Sequence, residues 1–320
     1  MSSIFKRLNF DKIEIGNIQA VDEMAIIPIL GDERGDIAKP TNLSFKRTTS
    51  YGTMVFENKD TSAEAIVPTN IMVRSTKGQD HAMSGSGIVM KKQSRSFKNA
   101  CCIEESQGGY LNDVVDSDIL PITLRKTLLK QSIRSHENYS KLWGKISEWL
   151  RGIPSVNIGS AHLRYFYDNP TIKEELEIFA AEFEPVENQI GAIIMFSGVP
   201  VGIEIMPSSE HWEEYWKLLI RGCYGAEMVR LKLLGKLNNK VLLLPEFPND
   251  ATPSDVKYIL EKFSQHLREE ILPLMENIKI KSSKTIDQIG SLQTTLIQTS
   301  SGGGDIIYQK NKPVYLSLVL

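Results

Sequence analysis

The 320-residue chain is poor in the residues that usually announce a chemistry, with three Cys, five His and four Trp. Three cysteines with no CxxC pair cannot make a disulfide framework and do not suggest a zinc site. The histidines (His81, His136, His162, His211, His266) share no HxH, HxxxH or HExxH spacing, so no metal ligands are assigned. No GxSxG elbow and no GxxxxGK[ST] loop occurs, which leaves serine-hydrolase and P-loop readings without support. Charge of one sign is also lacking: 37 basic against 39 acidic residues give a net charge of −2. That excludes a whole-surface polyanion binder and argues against nucleic acid as a partner, though not against a local basic site. No run of about 18 apolar residues exists, and residues 1–7 have no apolar signal core. The expectation is a soluble, cytoplasmic protein without a membrane span. Its 41% hydrophobic content is ordinary for a folded chain of this size.

What is present is a change of hydrophobic period along the chain. Short apolar runs at 11–15, 23–30, 54–56, 66–67, 71–73 and 87–90 predict strands, with loops at 40–50 and 75–87. From Leu120 the period becomes helical, through Leu124, Leu128, Leu129 and Ile133, then through Leu142, Trp143, Ile146, Trp149 and Leu150. Gly152-Ile153-Pro154 ends this second helix, and an acidic helix is expected over 172–184. Apolar runs at 190–196 and 199–206, split by Ser197-Gly198, read as a hairpin. Ser209 is placed as the cap of a helix reaching about Leu234, and 241–244 as a strand. Thr252-Pro253-Ser254-Asp255 opens a further helix that Pro273 should kink or stop. Strands at 291–298, 306–309 and 313–320 close the chain. The fold class is therefore α+β. A β-rich N-terminal part (1–120), a helical bridge (121–170) and an α+β part (171–320) form separate lobes or one continuous domain. The 190–206 hairpin and the terminal strands are expected in one antiparallel sheet covered by the helices at 209–234 and 253–272.

Four features carry candidate chemistry. Lys91, Lys92, Arg95 and Lys98 put four positive charges into eight residues with Gln93, Ser94 and Ser96. Such donors suit a phosphate-bearing ligand, and they equally suit a solvated strand face. Cys101-Cys102-Ile103-Glu104-Glu105 follows directly; neighbouring carboxylates disfavour a thiolate, so core cysteines are expected. The glycines of Ser300-Ser301-Gly302-Gly303-Gly304-Asp305 read as a connector. Glu204 lies between Ile203 and Ile205, so alternation sends it to the opposite face, as a solvated residue or as a half-buried acid.

An ordered set of these segments resembles the ARG and rhodanese-phosphatase-superfamily-associated protein domain, a bacterial and phage family. The set begins with Lys92-Gln93-Ser94-Arg95, Cys102-Ile103-Glu104, Leu124-Arg125 and Leu142-Trp143. It continues with Gln189-Ile190-Gly191-Ala192, Gly198, Gly202, and Trp216-Lys217-Leu218-Leu219 with Tyr224 and Ala226. It closes with the 302–305 glycines and Pro313-Val314-Tyr315-Leu316. Ser94 stands where the family has Asn, and Gly108-Gly109-Tyr110 where it has Gly-Arg-Trp. The resemblance implies a link, through gene company, to ADP-ribosylglycohydrolases and to NAD and ADP-ribose metabolism. It casts Lys92, Gln93 and Arg95 as ligand-binding residues with Gln189, and Trp216 or Tyr110 as a stacking platform. Glu104 and Glu204 become the candidate catalytic acid or base.

The leading expectation is thus a protein that binds an ADP-ribose- or NAD-derived ligand, with processing of that ligand, and so an enzyme, left open. Its alternative is a non-enzymatic interaction module with a protein partner, for example a phage-encoded modulator of a host protein. A third reading is local nucleic-acid binding by residues 91–98. No cofactor follows from the sequence, and neither the reaction nor the oligomeric state can be read from it.

Overall fold

The structure is a computed structural model that describes residues 3–75, 78–105, 108–110, 116–130, 141–154, 156, 159–237, 248 and 250–320. The strand expected at 241–244 and the positions of Ile133 and Tyr139 lie outside these residues. A short helix α1 (Ser3–Arg7) precedes β1 (Ile13–Ile15), β2 (Gln19–Val21) and β3 (Met24–Gly31). Next come β4 (Leu43–Arg47), β5 (Met54–Asn58), β6 (Ala65–Val67), β7 (Ile71–Arg74), β8 (His81–Met83) and β9 (Gly87–Val89). The N-terminal strands end with β10 (Gln93–Phe97), β11 (Ala100–Cys102) and β12 (Asp116–Ile119). Helices α2 (Ile122–Lys130), α3 (Lys141–Leu150), α4 (Arg164–Tyr167) and α5 (Pro170–Ala181) lead to the hairpin β13 (Gln189–Phe196) and β14 (Val199–Ile205). Then come α6 (Ser209–Lys217), α7 (Ala226–Leu233), α8 (Pro253–Glu276) and the meander β15 (Ile280–Ile289), β16 (Leu292–Thr299), β17 (Gly303–Gln309), β18 (Lys312–Val319). The chain is α+β.

One nine-stranded antiparallel sheet organises the molecule, in the order β1-β3-β13-β14-β18-β17-β16-β15 with β2 also on β3. The hairpin and the terminal meander therefore share a sheet. Strands β1 to β3, from the N-terminal part, join it too, with Ile27 opposite Ile193 and Ala25 opposite Met195. Period-two alternation gives this sheet two apolar faces. Ile27, Ile193, Ile203 and Leu316 pack with Ile4 and Phe5 of α1 and Met275 of α8. Ile26, Ile194 and Tyr315 pack with Leu128, Trp149, Trp212 and Tyr224 on the other side. The helices expected at 209–234 and 253–272 thus cover opposite faces. The turn of the β13–β14 hairpin uses Ser197 (φ 48°) and Gly198 (φ 79°), both left-handed, as a primed turn requires. Smaller sheets, β10-β5-β4, β11-β8-β7-β12 and β6-β9, hold the remaining N-terminal strands.

Local chemistry explains where expectation and structure part. Residues 40–50 contain β4 rather than only loop, because Leu43 and Phe45 alternate and pair with β5. The helix expected from Ser209 is capped by Ser208, whose hydroxyl accepts from His211 N, and it is interrupted by π-helical turns over Leu218–Gly225. The Thr252–Asp255 capping box forms as expected. Pro273 does not stop α8, since in the last turn it removes a single helical hydrogen bond. Strand β15 carries no strand pattern in the sequence: Ile280–Ile289 is polar and mostly exposed, as an edge strand can be. Among the described residues, no helix is long and apolar enough to cross a membrane.

Candidate functional site

The basic stretch 91–98 folds into a turn and an edge strand, and its residues do not act together. Lys92 sits in the turn with φ 53°, its amide donating to Asp60 O, and its side chain is exposed. Gln93 is exposed opposite Asn58. Arg95 is different. Its Nη1 donates to Ile88 O at 2.8 Å and pairs with Asp287 Oδ2 at 2.7 Å, while the guanidinium lies 4.8 Å from the Phe97 ring centroid. Nε and Nη2 have no hydrogen-bond partner among the described residues.

Arg95 lines a cleft of about 210 Å³ together with Ser86, Ser96, Phe97, Lys98, Asn99, Ile286 and Asp287. Two sheets build it. Strand β10, held on β5 with Arg95 opposite Phe56, forms one wall, and β15 forms the other. Gly87 carries no side chain where a Cβ would strike the Phe97 ring, so Phe97 can lie against the backbone beside Ser86. In β15, Thr285 pairs with Thr295 and Asp287 with Thr294, so Ile286 is a bulge. Strict alternation would send Ile286 and Asp287 to opposite faces; the bulge lets both line the cleft. Ser86 N donates to the buried Asp305 carboxylate at 2.7 Å, whereas Ser86 Oγ is buried without a partner among the described residues.

Glu104 and Glu204 are buried elsewhere. Glu104 accepts from Asp80 N at 3.1 Å and faces His162 Nε2 at 2.7 Å. Arg164 grips Asp80 through Nε and Nη2 at 2.9 and 2.6 Å and stands 3.8 Å from Glu104. Burial pushes the Asp80 carboxyl up to about 6, against the opposing pull of Arg164. Both His162 nitrogens are engaged, Nε2 by Glu104 and Nδ1 by Arg164 N, so this ring closes a structural network.

Glu204, 1% exposed, is sent by alternation to the face opposite Ile203 and Ile205, and there it meets Arg125 rather than solvent. Its Oε1 receives Arg125 Nη1 at 2.7 Å and the Tyr224 hydroxyl at 2.7 Å. Arg125 also donates to Ser317 Oγ at 2.5 Å, Asn70 Oδ1 at 3.3 Å and Cys223 Sγ at 3.4 Å. Burial alone would lower the Arg125 pKa; Glu204, Cys223 and Tyr224 beside it together more than reverse this.

Gln189 bridges Val186 N and Gly191 O at the bulge that starts β13, and Trp216 is buried edge-on against Trp212 at 5.6 Å. Tyr110 is exposed, 5.6 Å from Tyr51. Of Lys92, Gln93, Arg95, Glu104, Gln189, Glu204 and Trp216, the cleft is lined by Arg95 alone. Ser86, Ile286 and Asp287 complete it from parts of the chain that carry no local signal.

The cysteines are buried, and desolvation pushes all three thiols up to about 12, which removes thiolate chemistry. No group of three or more His, Cys, Asp or Glu able to hold a metal occurs among the described residues. The glycines at 302–304 serve the sheet: a Cβ on any of them would strike the backbone of Val319, Ile297 or Ser317.

No curated protein and no solved structure matches the chain. A family model matches residues 12–297, which include both walls of the cleft and, apart from Ser317, both buried networks, and the chain belongs to the ARG and Rhodanese-Phosphatase-superfamily-associated Protein domain family.

Proposed function

We propose that this chain binds an ADP-ribose- or NAD-derived small molecule, with a phosphate of the ligand in the cleft between β10 and β15. The carrying observation is Arg95. It is fixed at Nη1 by Ile88 and Asp287, with the Nε/Nη2 edge unoccupied among the described residues, in a cleft shared with Lys98 and Ser86. A planar edge with two parallel donors matches two phosphate oxygens, and a guanidinium already held in place loses less freedom on binding. The ADP-ribose part of the reading is supported by the family resemblance, and the family name speaks of association with ARG and the rhodanese-phosphatase superfamily. At about 210 Å³ the cleft is smaller than the roughly 300 Å³ at the low end of small-molecule pockets, so it suits one end of such a ligand. Asp287 is the carboxylate lining it, and a chemical step would fall to that group rather than to Glu104 or Glu204. Calorimetric titration with ADP-ribose, NAD and cyclic ADP-ribose tests the reading. Heat with one of them that disappears in Arg95→Ala supports it, and no heat with any at millimolar concentration overturns it.

A second reading, a protein-binding module, draws on another surface. Ile178, Phe179 and Met228 floor a groove rimmed by Asp22, Glu175 and Glu182, and Ile178 is 55% exposed. A stoichiometric partner kept by Arg95→Ala and lost by Ile178→Asp would favour it.

A further inference from the structure

The cleft offers acceptors as well as the phosphate edge. Asp287 Oδ2 is held by Arg95 Nη1, and Asp287 Oδ1 has no partner among the described residues. Ser86 Oγ, in a residue 5% exposed, is likewise without a partner among the described residues, and a buried hydroxyl left that way is destabilising until a ligand satisfies it. Phe97 and Ile286 supply apolar wall between these groups. A ligand that satisfies the whole set needs an anion for Arg95 and hydroxyls for Asp287 and Ser86. Inorganic phosphate would leave both oxygens unmatched. A cationic amine on Asp287 would face Arg95 and Lys98, two positive charges in the same cleft. A flat base finds the Phe97 ring already covered by the Arg95 guanidinium.

We propose that the cleft is a sugar-phosphate subsite. The phosphate lies on the Nε/Nη2 edge of Arg95, sugar hydroxyls donate to Asp287 Oδ1 and bond Ser86 Oγ, and the apolar face of the sugar rests on Ile286. Carboxylates commonly take ribose hydroxyls in this way. The phosphate half of this assignment rests on the function proposed above; the selection of a sugar by Asp287 and Ser86 goes beyond it. Regular pairing from the turn at 290–291 places Asp287 opposite Thr294, and the bulge adds Ile286 to the same wall.

The test is calorimetry on the full chain with D-ribose 5-phosphate, inorganic phosphate, D-ribose and ADP-ribose, in wild type, Asp287→Asn and Ser86→Ala. Ribose 5-phosphate is expected to bind at least about tenfold more tightly than phosphate or ribose. Asp287→Asn should weaken the sugar phosphate roughly tenfold, the scale of a hydrogen bond to a charged group, and leave inorganic phosphate unchanged or tighter. Ser86→Ala should also weaken the sugar phosphate selectively. The proposal is overturned if ribose 5-phosphate binds no better than phosphate, or if Asp287→Asn weakens both alike. In either case Arg95-dependent binding of ADP-ribose would leave the broader function standing; loss of that binding as well removes both.

Discussion

Two arginine–carboxylate pairs in this molecule have opposite characters. Arg125 and Glu204 are sealed: both side chains are at most 1% exposed, and their partners come from β14, β18, the turn before β7 and the π-helical turns. Arg95 and Asp287 are about 31% and 26% exposed, each with polar atoms left over, at the rim of a cleft. The sealed pair uses its hydrogen-bonding capacity on the fold, so it ties the N-terminal strands to the large sheet and has little to offer a ligand. The open pair holds one side of a guanidinium still and leaves the other side available. Burial of charge therefore marks architecture here, and incomplete pairing marks the place to look for binding.

The largest effect should come from breaking the sealed pair. Glu204→Ala leaves Arg125 buried without its carboxylate and should cost about 3–5 kcal/mol in denaturant unfolding. The double variant Arg125→Met/Glu204→Met should cost less than the two single changes added together, because no lone charge remains. Next is the Asp80–Arg164 pair, also buried but with a carboxyl raised to about 6. The sign follows from the folded state holding the proton more tightly than the unfolded one. The benefit is present at pH near 4 and is lost as pH rises through about 6. Unfolding measured from pH 4 to 7 should show that decline in wild type, and Asp80→Asn should flatten it. A smaller effect on stability is expected at the open pair: Arg95→Ala should change unfolding free energy by no more than about 1 kcal/mol, while abolishing ligand heat. The smallest is a null result. With their thiols at about 12, Cys101, Cys102 and Cys223 should resist iodoacetamide in the native protein at pH 8 and react once it is denatured.

Much of the architecture was legible because it rests on local pattern. Alternation locates the β13–β14 hairpin and most of the terminal strands, Ser197-Gly198 marks the hairpin's turn, and Thr252 with Asp255 marks a helix start. The same alternation put Glu204 off the Ile203 face, yet its partner lies 79 residues away and no local signal points to Arg125. The cleft shows the same limit. Arg95 stands out as a cation in a basic run, whereas Asp287 sits in a polar segment and meets Arg95 only once β15 is folded beside β10. The π-helical turns at Leu218–Gly225 leave no mark in the sequence, because the apolar spacing there also suits an ordinary helix.

The bulge at Ile286 stores part of the cleft in the length of the chain. Removing that one residue would keep Ser86, Arg95, Lys98 and Asp287 in the sequence. It would also leave Asp287 opposite Thr294, the register that the turn at 290–291 sets, and take Ile286 out of the cleft wall. A single-codon deletion would therefore separate the apolar wall from the polar set: phosphate binding at Arg95 should persist, while the sugar loses its apolar contact.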